Sequence, residues 1–387
     1  MRLAQAVRSA IESGAETVTD ICRACGGAFP TDVVSIARSI AGVTVDTWPH
    51  RRWPDDALGT EDSAVPSMPE PHPIDFEWRY TAATADSLAS MLSEAGGRIG
   101  CFGTPSVFVR LMHRSADAIL IDRNPALLRH FNTSLHDRMR TDDLSRRLSQ
   151  STDTDKDSEN GFDTILLDPP WYVGQTKAWL ARALSLLRTN GRIILTLFPE
   201  LLRPAAPRER EELVVLLRSL GRVRRLDIVP RYTTPVFESE TLSAFGLADL
   251  GQWRSGELFE VTIRDPQQHI LELPVIENDT WERVQLGRQV VAIRHSDSTR
   301  GMPVSVRPVE ASASFLLRSV SARDPTRQRV TVWTSRNRAA LVTGTDLAQR
   351  VLAQLAGRRS PRELFENEPD FEEARPALLT LQALVGW

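Results

Sequence analysis

The sequence predicts an α/β protein built on an open, mostly parallel sheet, and three stretches carry that prediction. Thr164 to Leu167 is an apolar, partly β-branched run that stops at Asp168, with Pro169 and Pro170 directly behind it, so it reads as a buried parallel strand closed at its carboxyl end. Upstream, Arg98 to Gly103, Pro105 to His113 and Ala116 to Asp122 read as strand, helix and strand. Downstream, Thr176 to Leu187 has the apolar face of a helix and Gly191 to Phe198 reads as a further buried strand.

Each of these stretches also places a chemical group. Proline donates nothing to a ladder, so Pro169 and Pro170 must lie past the strand, at the edge where open α/β sheets bind ligands. A rigid turn there gathers the Asp168 carboxylate, the Pro169 carbonyl and the Trp171 indole. An amine becomes nucleophilic when acceptors hold its hydrogens and its lone pair faces an electrophile, and a flat indole can stack a planar group. Gly100 and Gly103 leave room for the backbone to approach a ligand, and the helix that begins at Pro105 offers its amino terminus. Asp122 follows Gly103 by about 20 residues, near the spacing at which an acid on the second strand meets ribose hydroxyls.

Composition bounds the rest. With 387 residues, 41% hydrophobic and 25% charged, the chain is an ordinary globular one, long enough for two or three cores. No apolar run approaches membrane-spanning length, and Met1 to Ala10 lacks the apolar core of a secretion signal, so the expected location is the cytoplasm with no membrane partner. Three cysteines exclude a disulfide framework. A net charge of −3 gives no global attraction to nucleic acid. Lysine occurs only at Lys156 and Lys177, which reads as a GC-rich coding bias.

In chain order, residues 1–50 predict three short helices. The first runs over Arg2 to Ser13, the second over Asp20 to Ala24 behind a Thr17 or Thr19 cap, and the third over Asp32 to Ile40 behind Thr31. With Val43 to Trp48 as a wing strand, the outline is that of a winged helix-turn-helix. Its third helix carries only Arg38 and Asp32, so nucleic-acid contact and a dimerisation or protein-docking role both stay open. Cys22 and Cys25 form a lone Cys-x-x-Cys without a second ligand pair, better read as buried helix cysteines than as a metal site. Residues 51–74 form a Pro-rich linker. Trp78, Arg79 and Tyr80 either line the pocket or pack on the sheet edge. Arg208 to Leu220 reads as an amphipathic helix, and Gly221 to Val229 with Leu258 to Ile263 as an antiparallel closing hairpin.

The string Cys101-x-Gly103-x-Pro105-Ser106-Val107-Phe108, followed by Asp122 and then Asp168-Pro-Pro-Trp171, resembles S-adenosylmethionine-dependent amino-methyltransferases. It looks like the family that includes the elongation-factor lysine methyltransferases, once named N6-adenine methyltransferases. The domain order is also similar to the branched-polyamine synthases, but their acidic first loop is replaced here by Gly-Thr-Pro-Ser, which argues against a cationic polyamine. The resemblance implies a Rossmann-like class I methyltransferase core at residues 75–265, with a mostly parallel seven-stranded sheet and S-adenosylmethionine as cofactor. Carried over, Gly100, Gly103 and Pro105 fall in the first-motif loop and Asp122 on the ribose. The adenine-binding acid falls on Asp137, with Asp142 as the alternative, and the catalytic turn on Asp168, Pro169, Pro170 and Trp171. Tyr172, Trp78 and Glu238 are the substrate-facing candidates, though a surface carboxylate is the safer reading of Glu238. No metal is implied.

Beyond the core, alternating runs at Val290 to Arg294, Val304 to Pro308, Phe315 to Val320 and Arg329 to Trp333 predict a small β domain at residues 266–343. Arg294, Arg307, Arg318 and Arg329 sit on those runs. Residues 344–387 predict a helical module of winged-helix or peptide-docking outline, from Asp346 to Leu355, Pro361 to Phe365 and Pro376 to Val385. The expected activity is methylation of an amine nitrogen, in nucleic acid or on a protein side chain, with protein partners at either terminus. An aminopropyl or alkyl transferase on the same fold, and a non-catalytic scaffold, are the alternatives.

Overall fold

Helix capping sets the first elements. Thr17 Oγ1 accepts from the Asp20 N–H at 3.0 Å while the Asp20 carboxylate accepts from the Thr17 N–H at 3.0 Å, a reciprocal box that starts α2 (Val18–Ala24). It is preceded by α1 (Arg2–Glu12) and followed by α3 (Pro30–Ala41). Thr31, expected as a cap, lies inside α3 because Pro30, with its φ already set, takes a first-turn position. Cys22 and Cys25 are fully buried, and burial pushes the Cys22 thiol up to about 12, so both behave as small apolar groups.

This computed structural model describes residues 2–41, 68–131, 133–145, 161–247, 250–269, 271, 281–294, 302–310, 314–357 and 371–386. The expected wing strand Val43 to Trp48, most of the linker and the helix Pro361 to Phe365 lie outside them. The chain divides into two compact units. A core unit holds residues 1–67, 78–234 and 249–276, and a second unit holds residues 68–77, 235–248 and 277–387.

In the core unit, β1 (Arg79–Tyr80) leads into α4 (Ala82–Ala95), whose first turn is capped by Thr81. Then come β2 (Ile99–Phe102), α5 (Pro105–His113), β3 (Ala118–Asp122), α6 (Pro125–His130), β4 (Met139–Thr141) and β5 (Phe162–Leu167). They are followed by α7 (Val173–Leu186), β6 (Leu187–Leu197), α8 (Ala206–Leu220), β7 (Arg222–Arg225), β8 (Tyr232–Thr233) and β9 (Glu257–Thr262). Seven strands form one sheet in the order β4-β3-β2-β5-β6-β9-β7. The pairs from β4 to β6 are parallel, and β9 runs antiparallel between β6 and β7. The central strands are buried on both faces, as helices on both sides require, with Ile99, Cys101, Phe102, Ile165, Leu166 and Leu167 at 1% exposure or less. Because Phe102 pairs with Leu167, the chain leaves β2 and β5 side by side, and the Asp168 N–H reaches the Phe102 carbonyl at 3.4 Å.

In the second unit, β10 (Trp281–Leu286), β11 (Gln289–Arg294), β12 (Ser305–Pro308), β13 (Val332–Thr334) and β14 (Ala339–Thr343) form an antiparallel sheet in the order β10-β11-β13-β14-β12. The helices α10 (Thr345–Ala356) and α11 (Phe371–Val385) share a core with it through Val291, Val342, Leu352 and Leu381. Phe315 to Val320 is not a strand; it contributes a single bridge from Leu316 to Arg338. Arg329 ends a short 3-10 turn, so only Arg294 and Arg307 of the expected arginines lie on strands. Residues 68–77 pack in this unit. The Glu70 carboxylate accepts from Ser335 and Arg336, buried His72 meets the Trp333 carbonyl at 2.9 Å, and Asp75 pairs with Arg283 at 2.6 Å.

Candidate active site

The carboxyl edge of the parallel strands gathers the predicted groups. Asp168 follows β5, and its Oδ1 accepts the Tyr232 phenol at 2.7 Å. Tyr232 arrives there because β1 and β8 pair antiparallel with Tyr80 opposite Tyr232, their rings 5.0 Å apart. Tyr80 in turn shares a 2.6 Å hydrogen bond with Thr196 on β6. Burial dominates the Asp168 carboxyl and pushes it up to about 7, against the Tyr232 hydrogen bond, the Arg254 charge and the Tyr80 hydrogen bond, which all pull it down. Burial likewise holds both phenols well above their ordinary range, so they remain protonated donors.

The turn after Asp168 is fixed from outside. Arg203 donates to the Trp171 carbonyl at 2.7 Å, pairs with Glu209 at 2.6 Å and stacks on Phe198 at 4.5 Å. Trp171 is 6% exposed. Its indole faces the Arg254 guanidinium at 3.8 Å, and Trp78 faces the same guanidinium at 4.1 Å. Tyr232 closes a third side at 5.8 Å and meets Trp171 edge-on at 5.5 Å. This cage surrounds a planar cation with aromatic faces, an arrangement that stabilises it through ring quadrupoles. Gly256 permits it: a Cβ there would come within 2.6 Å of Thr196 Cγ2 and 3.1 Å of the Leu197 carbonyl. Trp253, edge-on to Trp78 at 5.6 Å and tilted against Phe29 at 6.1 Å, continues the aromatic wall into the N-terminal helices.

The first loop has features that suit a bound ligand. Gly103 has φ +65, a left-handed conformation that favours glycine. A Cβ on it would meet the Trp179 ring at 2.6 Å, so this glycine also makes room for the protein's own indole. Thr104 stands at the N-cap of α5 without a side-chain cap bond, and the buried Ser106 hydroxyl has no hydrogen-bond partner. An uncapped helix terminus and an orphaned hydroxyl are donors awaiting an acceptor. Pro105 opens the helix. Asp122 ends β3 half-buried and accepts the Asn124 N–H at 2.8 Å. These groups fit a ligand carrying ribose hydroxyls and a charged amino-acid moiety.

Several expected residues stand elsewhere. Gly100 lies inside β2, where a Cβ would strike Phe102 at 2.9 Å, so its smallness serves core packing. Asp137 is exposed in a 3-10 turn ahead of β4, at the opposite end of that strand from the site. The acid that follows β4 is Asp142, whose N–H reaches the Asp122 carbonyl at 3.1 Å and whose carboxylate pairs with Arg182 at 2.8 Å. Glu238 is 5% exposed on α9 (Val236–Ala244) of the second unit, so it is not a surface carboxylate. Tyr172 caps α7 and lies 5.6 Å from the Arg203 guanidinium. Trp78 joins the cluster through Arg254. Tyr232 and Arg254 complete the cluster from outside the motifs that carry the resemblance. The aromatic spacing around β1 was visible, but its pairing with β8, more than 150 positions later, was not.

The strand order, with a single antiparallel strand inserted next to the edge, gives the core the topology of a Rossmann-like class I methyltransferase fold. Residues 77–223 match the family described as probable N6-adenine methyltransferases. Among solved structures, magnesium protoporphyrin IX methyltransferase from Synechocystis is similar at 13% identity, over 47% of this chain and 82% of its own, with a TM-score of 0.30. The N-methyltransferase NodS from Bradyrhizobium japonicum is similar at 11% identity, over 47% and 85%, with a TM-score of 0.30. A 16S rRNA N2 methyltransferase from T. Thermophilus is similar at 15% identity, over 59% and 52%, with a TM-score of 0.29. No curated protein matches the chain. Among the described residues no helix is long and apolar enough to cross a membrane, and no group of His, Cys, Asp or Glu is arranged to hold a metal ion.

Proposed function

We infer that the core transfers a methyl group to an amine nitrogen, on a nucleic-acid base or a protein side chain. The observation that carries this is Asp168, an acceptor held beside the first loop at the end of β5 by Tyr232 and stiffened behind by two prolines. Gly103, the amino end of α5, Ser106 and Asp122 would hold S-adenosylmethionine, which when bound supplies a methyl group already activated on a sulfonium. The protein's contribution is then positioning. Asp168, ionised, accepts a hydrogen bond from the amine N–H so that the nitrogen lone pair is turned toward the first loop. Trp171 and Trp78 wall the approach, and their burial excludes water from it.

A scaffold role is the second reading, because Arg254 covers the face of Trp171 that a planar substrate would stack on. Radiolabelled methyl donor incubated with the protein and whole-cell lysate, then split into nucleic-acid and protein fractions, decides between them. Label in either fraction supports methyl transfer and names the substrate class. Lack of any S-adenosylmethionine binding by calorimetry leaves the scaffold.

A further inference from the structure

Tyr232 is the best-fixed group around Asp168. It is 1% exposed, packs against Trp171, Tyr80 and Trp78, and its N–H donates to the Arg254 carbonyl at 3.1 Å. A carboxylate by itself is poorly directed, since the terminal torsion of aspartate is broad. In-line transfer needs an acceptor aimed at one N–H in one direction. We propose that Tyr232 is a positioning residue for the amine: its phenol, donating to Asp168 Oδ1, locks the rotation of that carboxylate so that its remaining lone pairs face the nitrogen.

The proposal rests on the methyl-transfer reading, but the same hydrogen bond has a second consequence that does not. The groups facing Asp168 are Tyr232 from β8, Tyr80 from β1 and the Arg254 cation from the segment before β9. All three favour the ionised carboxylate, and burial opposes them. Removing the Tyr232 hydroxyl therefore both frees the carboxylate to rotate and moves its ionisation to higher pH.

The test is Tyr232→Phe, which keeps the ring and its packing. Infrared titration of the protonated carboxyl stretch, assigned with Asp168→Asn, needs no substrate. It should show the Asp168 midpoint rising by about one pH unit, the scale of one lost hydrogen bond to a charged group. With the lysate fraction that accepts label, methyl transfer should fall by about 10- to 100-fold near pH 7 and recover in part as pH rises, with KM for S-adenosylmethionine unchanged. A loss equal at every pH, or an unmoved carboxyl midpoint, overturns the role of Tyr232. If the variant does not fold, the wild-type phenolic proton carries the test: it should resonate downfield and titrate together with Asp168, and a resonance indifferent to that titration overturns the proposal. Absence of donor binding in the wild type would instead remove the methyl-transfer reading, while the carboxyl titration still decides the hydrogen bond.

Discussion

The Arg254 guanidinium lies 3.8 Å from the ring centre of Trp171, so one face of the proposed catalytic indole is covered by the protein's own planar cation. The Trp78 ring lies 4.1 Å from the same guanidinium. Arg254→Ala should cost about 1–2 kcal/mol in chemical denaturation, the scale of a desolvated cation–π contact plus lost stem packing. Arg254→Lys should recover little of it, because a compact ammonium cannot stack as a plane on an indole. Full recovery by lysine would show that charge alone holds the cage.

A second expectation concerns pH. The Asp168 carboxyl is raised from 3.8 to about 7 in the folded protein, so between those values the folded state binds more protons than the unfolded one. Stability from this group is present below its unfolded value and is lost as pH rises through about 7, with a slope of up to about 1.4 kcal/mol per pH unit for one proton. Methyl transfer runs the other way, because the acceptor must be ionised, and its acid limb should have a midpoint near 7. Denaturation midpoints measured from pH 4 to 8 should lose this component in Asp168→Asn; an identical profile in the variant contradicts the assignment.

Gly103 offers a third check. Its φ of +65 and the Trp179 ring 2.6 Å from a would-be Cβ make Gly103→Ala costly on two counts, backbone strain and overpacking, by about 2–4 kcal/mol together. Adding Trp179→Leu should relieve the overpacking but not the strain. Thermal denaturation of the single and double variants separates the two, and full restoration by Trp179→Leu would mean that the left-handed backbone carries no penalty.

In the second unit, Asn337 is fully buried with φ +58 and joins three partners. Its side chain accepts from Trp333 Nε1 at 3.0 Å and donates to Thr241 at 2.7 Å and to the Leu317 carbonyl at 2.8 Å. Asn337→Ala leaves the Trp333 donor and the Leu317 acceptor unmatched and puts alanine in a left-handed conformation, so a loss of about 2–4 kcal/mol is expected in the unfolding of this unit. Asn337→Asp keeps the acceptor for Trp333 but loses both donations, and should fall between.

The core was legible because its signals are local. Periodicity and end residues placed α5, β3 and β5 within a residue or two, and Asp168-Pro-Pro marked the strand end by the simple inability of proline to pair. What the sequence concealed are relationships between distant positions. Tyr80 meets Tyr232 only through strand pairing, Gly100 faces Phe102 and Phe162 only through the pleat, and Arg254 enters the indole cage because Gly256 lets that segment press on β6. Asp137 was misplaced because β4 is three residues long and too short for a periodic signal. Phe315 to Val320 alternates like a strand yet pairs only once, since alternation reports exposure on one side and not the presence of a neighbouring ladder.

The most direct test of the central claim compares wild type with Asp168→Ala for binding of S-adenosylmethionine by calorimetry and for transfer of its labelled methyl group to lysate. Retained binding with transfer lowered by at least about 100-fold is the predicted result, since the variant removes the acceptor and leaves the first loop intact. Equal transfer by both proteins, or no donor binding by the wild type, would contradict it.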